Sequence, residues 1–262
     1  MTTTATVPDQ LRKSEILRSL HVPGTPLIVT NVWDAVTARI VAGAEGVKAL
    51  ATASHAVSFA HGVPDGEGLT VEQALEAARV IVSAVDLPVS VDFERGYATS
   101  LPELESNIAR LVEVGAAGLN IEDKTAEKTL FPLDVAIARI GSVRGAGGNI
   151  VINARTDSLQ RGASFDEMVQ RANSYLGAGA DCIFVLGLST EDLVKRALDE
   201  IDGKISVFSG PTSVPLKRLA ELGVSRVSFG PGPMGLTLAH LQKAAAELTA
   251  LGVYPAELGF SY

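Results

Sequence analysis

A single cysteine, Cys182, rules out an internal disulfide and a multi-cysteine zinc or iron–sulfur site, and it fits a reducing, cytoplasmic setting. Long apolar runs are also missing. No stretch approaches 18 apolar residues, so no membrane span is expected. Residues 1–8 are Thr-rich, lack the apolar core of a secretory signal, and read as a short leader. Basic residues are the minority, with 22 Lys and Arg against 30 Asp and Glu for a formal net charge of −8. With no Lys/Arg-rich run, nucleic acid is not expected as a partner. No G-x-G-x-x-G follows the first apolar run, which leaves a dinucleotide-binding fold without direct support. No composition break or linker divides residues 1–262, which read as one domain.

What is present is a repeating unit. Eight short apolar runs recur at Leu27–Thr30, Lys48–Ala53, Pro88–Phe93, Gly118–Ile121, Asn149–Ala154, Cys182–Leu186, Lys204–Phe208 and Arg226–Phe229. They lack strict alternation, as strands buried on both faces do. Between them lie amphipathic stretches with helix-start signals, including Leu69–Ala84, Ser100–Val114 and Ala163–Leu176, and an extra helix over 9–20 precedes the first strand. Glu103 stands where a capping box on Ser100 needs it. Gly115, Gly179 and Gly223 are placed to stop helices with positive φ. Eight strand–helix units at about 30 residues each predict an α/β fold, a (β/α)8 TIM-type barrel.

In such a barrel the chemistry gathers where strands end. Those ends read Asn31-Val-Trp33-Asp34, Ser54-His55, Asp92-Phe-Glu94, Asn120-Ile-Glu122-Asp123-Lys124 and Asn153-Ala-Arg155. Asp92 and Glu94, two apart on one strand, are expected on one face beside Glu122. Carboxylates crowded about 4 Å apart repel by roughly 4 kcal/mol at an effective dielectric of 20. Either a hard cation, Mg2+ first, or pairing with Arg155 and Lys124 would offset this. Asp65 lies in a Gly-rich loop, and the planar fork of Arg155 suits a carboxylate or phosphonate. His55 and His61 flank the second strand end as acid/base candidates. The Gly-Pro loops after Phe208 and Phe229 read as phosphate-binding corners or as plain turns.

These phrases, together with Gly62-Val-Pro-Asp-Gly-Glu-Gly, Val89-Ser-Val-Asp-Phe-Glu-Arg-Gly-Tyr and Ala178-Gly-Ala-Asp-Cys-Ile-Phe-Val, stand in one order over roughly residues 25–245. On them the chain resembles the isocitrate lyase/phosphoenolpyruvate mutase superfamily. The resemblance implies an enzyme using Mg2+ (or Mn2+) on a small 2-oxo acid, forming a dimer or tetramer and often swapping its last helix between subunits. It implies Asp92 as direct metal ligand, with Asp65, Glu94 and Glu122 on metal-bound waters. It implies Arg155 as the substrate grip and the loop at Ser54 as the carboxylate site. Trp33, Asp65 and Asn153 are further substrate-binding candidates by their place at strand ends and in the Gly-rich loop, and Glu122 is a catalytic candidate beside Arg155.

Superfamily lyases that cleave isocitrate or methylisocitrate carry a Lys-Lys-Cys-Gly-His loop. Here the loop after Glu122 holds neither Cys nor His, and Lys128 is its candidate proton donor. The first reading is a Mg2+-dependent lyase or decarboxylase of an oxaloacetate-like acid. A phosphonate P–C bond mutase or hydrolase and a non-catalytic acid-binding barrel are the alternatives. The apolar, aromatic tail at 253–262 is suited to docking on another subunit.

Overall fold

Parallel strands buried on both faces must be covered by helices on the outside and must meet each other's edges on the inside. The computed structural model, which describes residues 7–254, solves this with a nearly closed parallel sheet ringed by helices. The strands are β1 (Leu27–Val29), β2 (Asn31–Val32), β3 (Leu50–Thr52), β4 (Val89–Asp92), β5 (Gly118–Glu122), β6 (Val151–Thr156), β7 (Cys182–Val185), β8 (Ile205–Phe208) and β9 (Arg226–Ser228). The helices are α1 (Val7–Ser19), α2 (Ala35–Ala42), α3 (Ser54–Ala60), α4 (Val71–Val82), α5 (Leu101–Glu113), α6 (Leu133–Gly147), α7 (Phe165–Gly177), α8 (Glu191–Glu200), α9 (Leu216–Leu222) and α10 (Gly232–Thr249). Of the expected leader at 1–8 and tail at 253–262, residues 1–6 and 255–262 lie outside the described residues, and Val7 and Pro8 belong to α1 instead of the leader.

The first strand departs from the sequence reading. It is two strands, broken at Thr30. β1 pairs with β9 and β2 pairs with β3, so the sheet order β1-β9-β8-β7-β6-β5-β4-β3-β2 begins and ends on two halves of one run. Barrel closure staggers the hydrogen-bond register, and one short strand serves both neighbours by splitting between them. Asn31 fastens the seam, donating from Nδ2 to the Thr52 carbonyl (2.9 Å) and accepting at Oδ1 from the Phe229 N–H (2.8 Å).

Local signals elsewhere act as read. Gly115, Gly179 and Gly223 follow helices with φ of +95°, +110° and +108°. Thr70 and Gln73 form a capping box on α4, and Ser164 and Glu167 form one on α7. The α5 cap differs. Ser100 Oγ accepts from the Glu103 N–H, but the Glu103 carboxylate turns to the Thr99 N–H and hydroxyl instead of closing the box.

Helix α1 plugs the N-terminal end of the barrel. Gln10 and Ser14 donate to the Ala116 and Ala117 carbonyls, and Leu17 packs with Leu27, Val29, Ala49, Ala51 and Val151. A side chain at Gly118 would meet Leu17 Cδ2 at 2.7 Å and the Val151 carbonyl oxygen at 3.0 Å, so glycine lets Leu17 seat this closely. At the other end of the chain, α10 touches the barrel only at its start. Met234 is buried with Ala53 and Ala56, whereas Leu236 and Leu241 are 78% and 62% exposed. No helix among the described residues is long and apolar enough to cross a membrane.

His21, just after α1, is buried, and its ring Nδ1 lies 2.7 Å from the Leu17 carbonyl, which fixes Nδ1 as the protonated donor. Burial, with Arg226 adding repulsion, lowers its pKa to about 4. The unfolded chain binds that proton from about pH 6.5 downward and the folded chain does not, so His21 favours folding above pH 6.5 and loses this as pH falls toward 4. The expected loss approaches about 3 kcal/mol at the acid end. Urea midpoints at pH 7 and pH 4.5 should differ more in the wild type than in His21→Met. Equal differences would remove His21 from the acid transition.

Candidate active site

The strand register brings the expected residues to the C-terminal mouth of the barrel. Asp92 lies opposite Asn120, Asn120 opposite Asn153, and Glu122 opposite Arg155. A cavity of about 270 Å3 opens there, and Ser54, His55, Asp65, Asp92, Asn120 and Arg155 line its polar side. Phe184, Leu186 and Phe208 form an apolar wall.

Asp92, the last residue of β4, is held from two sides. Its Oδ2 accepts from the Ser54 N–H at the start of α3 (2.9 Å), and its own N–H donates to Thr52 Oγ1 (2.8 Å). Asn120 Nδ2 stands 3.5 Å from Oδ1, and Asn153 Nδ2 donates to Asn120 Oδ1 (2.8 Å). Asn153 is therefore fully buried beneath the cavity and braces Asn120. Asp65 sits at the rim, with His55 Nδ1 3.8 Å away.

The other two acids differ from the expectation of a shared face. β4 ends at Asp92, and Glu94 turns away with φ +48°, so the two-residue strand period does not extend to it. Its carboxylate is buried outside the cavity, accepting from the Glu67 N–H (2.6 Å) and the Tyr97 hydroxyl (3.0 Å). Burial, then the nearby charges of Asp92, Asp65 and Glu122, pushes its pKa up to about 8. Glu122 is also buried. Arg155 Nη1 lies 2.5 Å from its Oε1, and Lys124 Nζ lies 2.7 Å from its Oε2, off the line of a hydrogen bond. Burial raises the Glu122 pKa despite these cations. Arg155 also contacts Asp157 at 2.9 Å. Burial opposes its charge, but Glu122 and Asp157 more than offset that and hold the guanidinium protonated more firmly than in water.

Two candidates stand apart from the cavity. Trp33 is half-buried against Ala53, Ala56 and Met234. Lys128 is exposed, at φ +63°, in a turn closed by hydrogen bonds between Thr125 and Thr129, and it is not among the residues lining the cavity. His61 is occupied too, its Nδ1 2.8 Å from the Val57 carbonyl. Sequence reasoning did not assign Asn31, Thr52, Gln160, Phe184, Phe208 or Ser228 to the site, although most of them stand at strand ends. That position was the available signal.

A divalent cation fits part of this arrangement. Asp92 faces the cavity with no basic partner among the described residues, and after burial the nearby charges of Asp92, Asp65 and Glu122 add to the raised Glu94 pKa, a repulsion that a cation would ease. Among the described residues no three His, Cys, Asp or Glu side chains stand close enough to hold an ion by themselves. Asp92 and Asp65 are the carboxylates open to the cavity, whereas Glu94 and Glu122 are engaged by protein donors. An ion that keeps most of its waters suits such a set.

The family profile described as phosphoenolpyruvate phosphomutase matches residues 17–249. An uncharacterized protein of Mycobacterium tuberculosis is 33% identical over 237 residues, covering 87% of this chain and 88% of that one. The phosphoenolpyruvate phosphomutase of Streptomyces hygroscopicus is 28% identical over 255 residues, covering 91% and 80%. A Burkholderia cenocepacia crystal structure, provisionally described as a phosphonomutase, superposes with a TM-score of 0.86 at 38% identity, covering 90% of this chain and 99% of that one. Carboxylates, an arginine and a helix start around one mouth of a parallel sheet mark the class of α/β barrels with a strand-end cavity. Within it, this chain belongs to the phosphoenolpyruvate phosphomutase family of the isocitrate lyase/phosphoenolpyruvate mutase superfamily. Membership supports catalysis on small carboxylic acids and an enzyme class that in general uses a divalent metal.

Proposed function

We propose that the chain makes or breaks the P–C bond of a small 2-oxo phosphonate, as a mutase or hydrolase of the phosphonopyruvate type. The observation that carries this is the cavity itself. It has one arginine, a helix-start N–H and two carboxylates open to a cation, but no Cys, and the loop lysine lies outside it. Phosphoryl migration from carbon to the enol oxygen of the same acid, the mutase reaction, needs positioning and charge stabilisation, with no net proton transfer. In the hydrolase reaction water takes the phosphoryl group and its released proton goes to the enolate carbon, whereas a C–C lyase must protonate its carbanion from another donor. Mg2+ or Mn2+ bound at Asp92 and Asp65 would act as a Lewis acid toward developing negative charge on oxygen. Arg155, pinned by Glu122 and Asp157, presents a fixed guanidinium to the acid. The start of α3 around Ser54 offers N–H groups to a carboxylate.

The oxaloacetate-like lyase or decarboxylase is the second reading. One feature favours it: Arg155 is the only Lys or Arg among the cavity-lining residues, and the wall of Phe184, Leu186 and Phe208 disfavours a phosphonate dianion. The leucines exposed on α10 are the surface this reading gives to a neighbouring copy of the chain, in a dimer or tetramer.

Incubation with phosphonopyruvate and Mg2+, followed by phosphorus NMR, decides between them. Loss of the phosphonate signal with growth of a phosphate-ester or inorganic phosphate signal is the expected result. Oxaloacetate consumption with an unchanged phosphonate signal would replace it with the second reading. Binding of both acids with turnover of neither would leave an acid-binding barrel.

A further inference from the structure

Beneath the cavity the barrel interior holds a second arginine. Arg226, on β9, is completely buried, and both terminal nitrogens lie 3.2 Å from one acceptor, Ser90 Oγ, 136 residues away on β4. Among the described residues its Nε has no hydrogen-bond partner, and neither has the buried hydroxyl of Ser206, its register neighbour on β8. Among the described residues no carboxylate lies within ion-pair distance of it. Ser90 stands two residues before Asp92 on the same strand, so the two side chains share a face about 7 Å apart along it, and the Asp92 charge acts on the guanidinium held at Ser90.

A buried cation without a partner is costly, and an apolar side chain of similar length would fill the space at less cost. The packing therefore does not account for arginine. The charge does. Burial lowers the Arg226 pKa only to about 10, so the guanidinium stays charged at neutral pH. Its field points up into the cavity, whose acids otherwise outnumber its cations.

We propose that Arg226 is a positioning residue, a fixed positive floor that strengthens binding of the acid in the cavity while tempering the affinity of Asp92 for a divalent cation. This rests on the reading of the cavity as a metal and acid site. It assigns to Arg226 two effects of opposite sign, which loss of packing alone does not produce.

The test measures Mn2+ binding by calorimetry, then oxalate binding at saturating Mn2+, in the full chain. Arg226→Met is expected to bind Mn2+ several-fold more tightly and oxalate about tenfold more weakly. Ser90→Asp keeps the arginine but neutralises it in place, and should shift both affinities the same way as Arg226→Met. Arg226→Lys keeps the charge and should leave both within about twofold of wild type. Should Arg226→Met fail to fold, Ser90→Asp carries the test. Both affinities falling together, or neither moving in a folded neutralised variant, would overturn the proposal. Wild-type protein that binds neither Mn2+ nor oxalate would instead overturn the site reading, and this inference with it.

Discussion

Asp92→Asn is expected to weaken Mn2+ binding by about 100-fold or more and to reduce turnover in step. The substitution is nearly isosteric. The amide oxygen still accepts from the Ser54 N–H, so the start of α3 keeps its anchor. What disappears is the charge that the cavity offers a cation. The effect on the folded state has two opposing parts, since removing Asp92 relieves its repulsion of Glu94 and forfeits its attraction to the buried Arg155 and Arg226. Metal affinity should thus fall with little net change in Tm. Calorimetric titration and a thermal melt of the same sample check both halves. Unchanged Mn2+ affinity would take Asp92 out of the metal site.

Arg155→Met has the larger expected effect on the protein itself. Arg155 stands between Glu122 and Asp157, both buried. Removing one partner of a buried ionic cluster costs about 3–5 kcal/mol, because the remaining charges lose their compensation. In a chain of this size that is a fall in Tm of about 10 °C. The sign with pH follows from the acids left behind. Glu122 is already raised by burial, and without Arg155 it rises further, so its folded pKa exceeds its unfolded one. Such an acid penalises folding at high pH and is relieved as pH falls through its folded value. The variant should therefore regain part of its deficit between pH 7.5 and pH 5.5, and Arg155→Met with Glu122→Gln should regain it at both. Oxalate binding should be lost in both variants, since the grip is gone. A stability deficit independent of pH and of Glu122 would mean that Arg155 acts through packing alone.

Much of this architecture was legible in the chain. The later apolar runs, the helix starts within Leu69–Ala84 and Ala163–Leu176 and the stops at Gly115, Gly179 and Gly223 each rest on a few neighbouring residues, and the structure has a strand, a capped helix or a positive-φ glycine at each. The crowding at strand ends was legible too, because parallel strands all deliver their C-terminal residues to one side. The reading failed where a local period was carried one step too far. Glu94 was placed on the face of Asp92 by strand alternation, but the strand had already ended. The break at Thr30 was equally hidden, since barrel closure is a demand of the whole sheet and not of four residues.

By itself, then, the sequence determined the alternation of strand and helix, the end of the barrel that bears the acids, and the absence of Cys and His from the loop after Glu122. Those properties depend on composition and on contacts within a turn or two. Only the tertiary structure decided which charges met. It paired Glu122 with Arg155 and Lys124, left Asp92 facing an open cavity, sent Lys128 to the surface, and carried Arg226 across the barrel to Ser90 with no acid in ion-pair distance among the described residues. Pairings of that kind are fixed by register and closure between residues far apart in the chain, where no local propensity reaches.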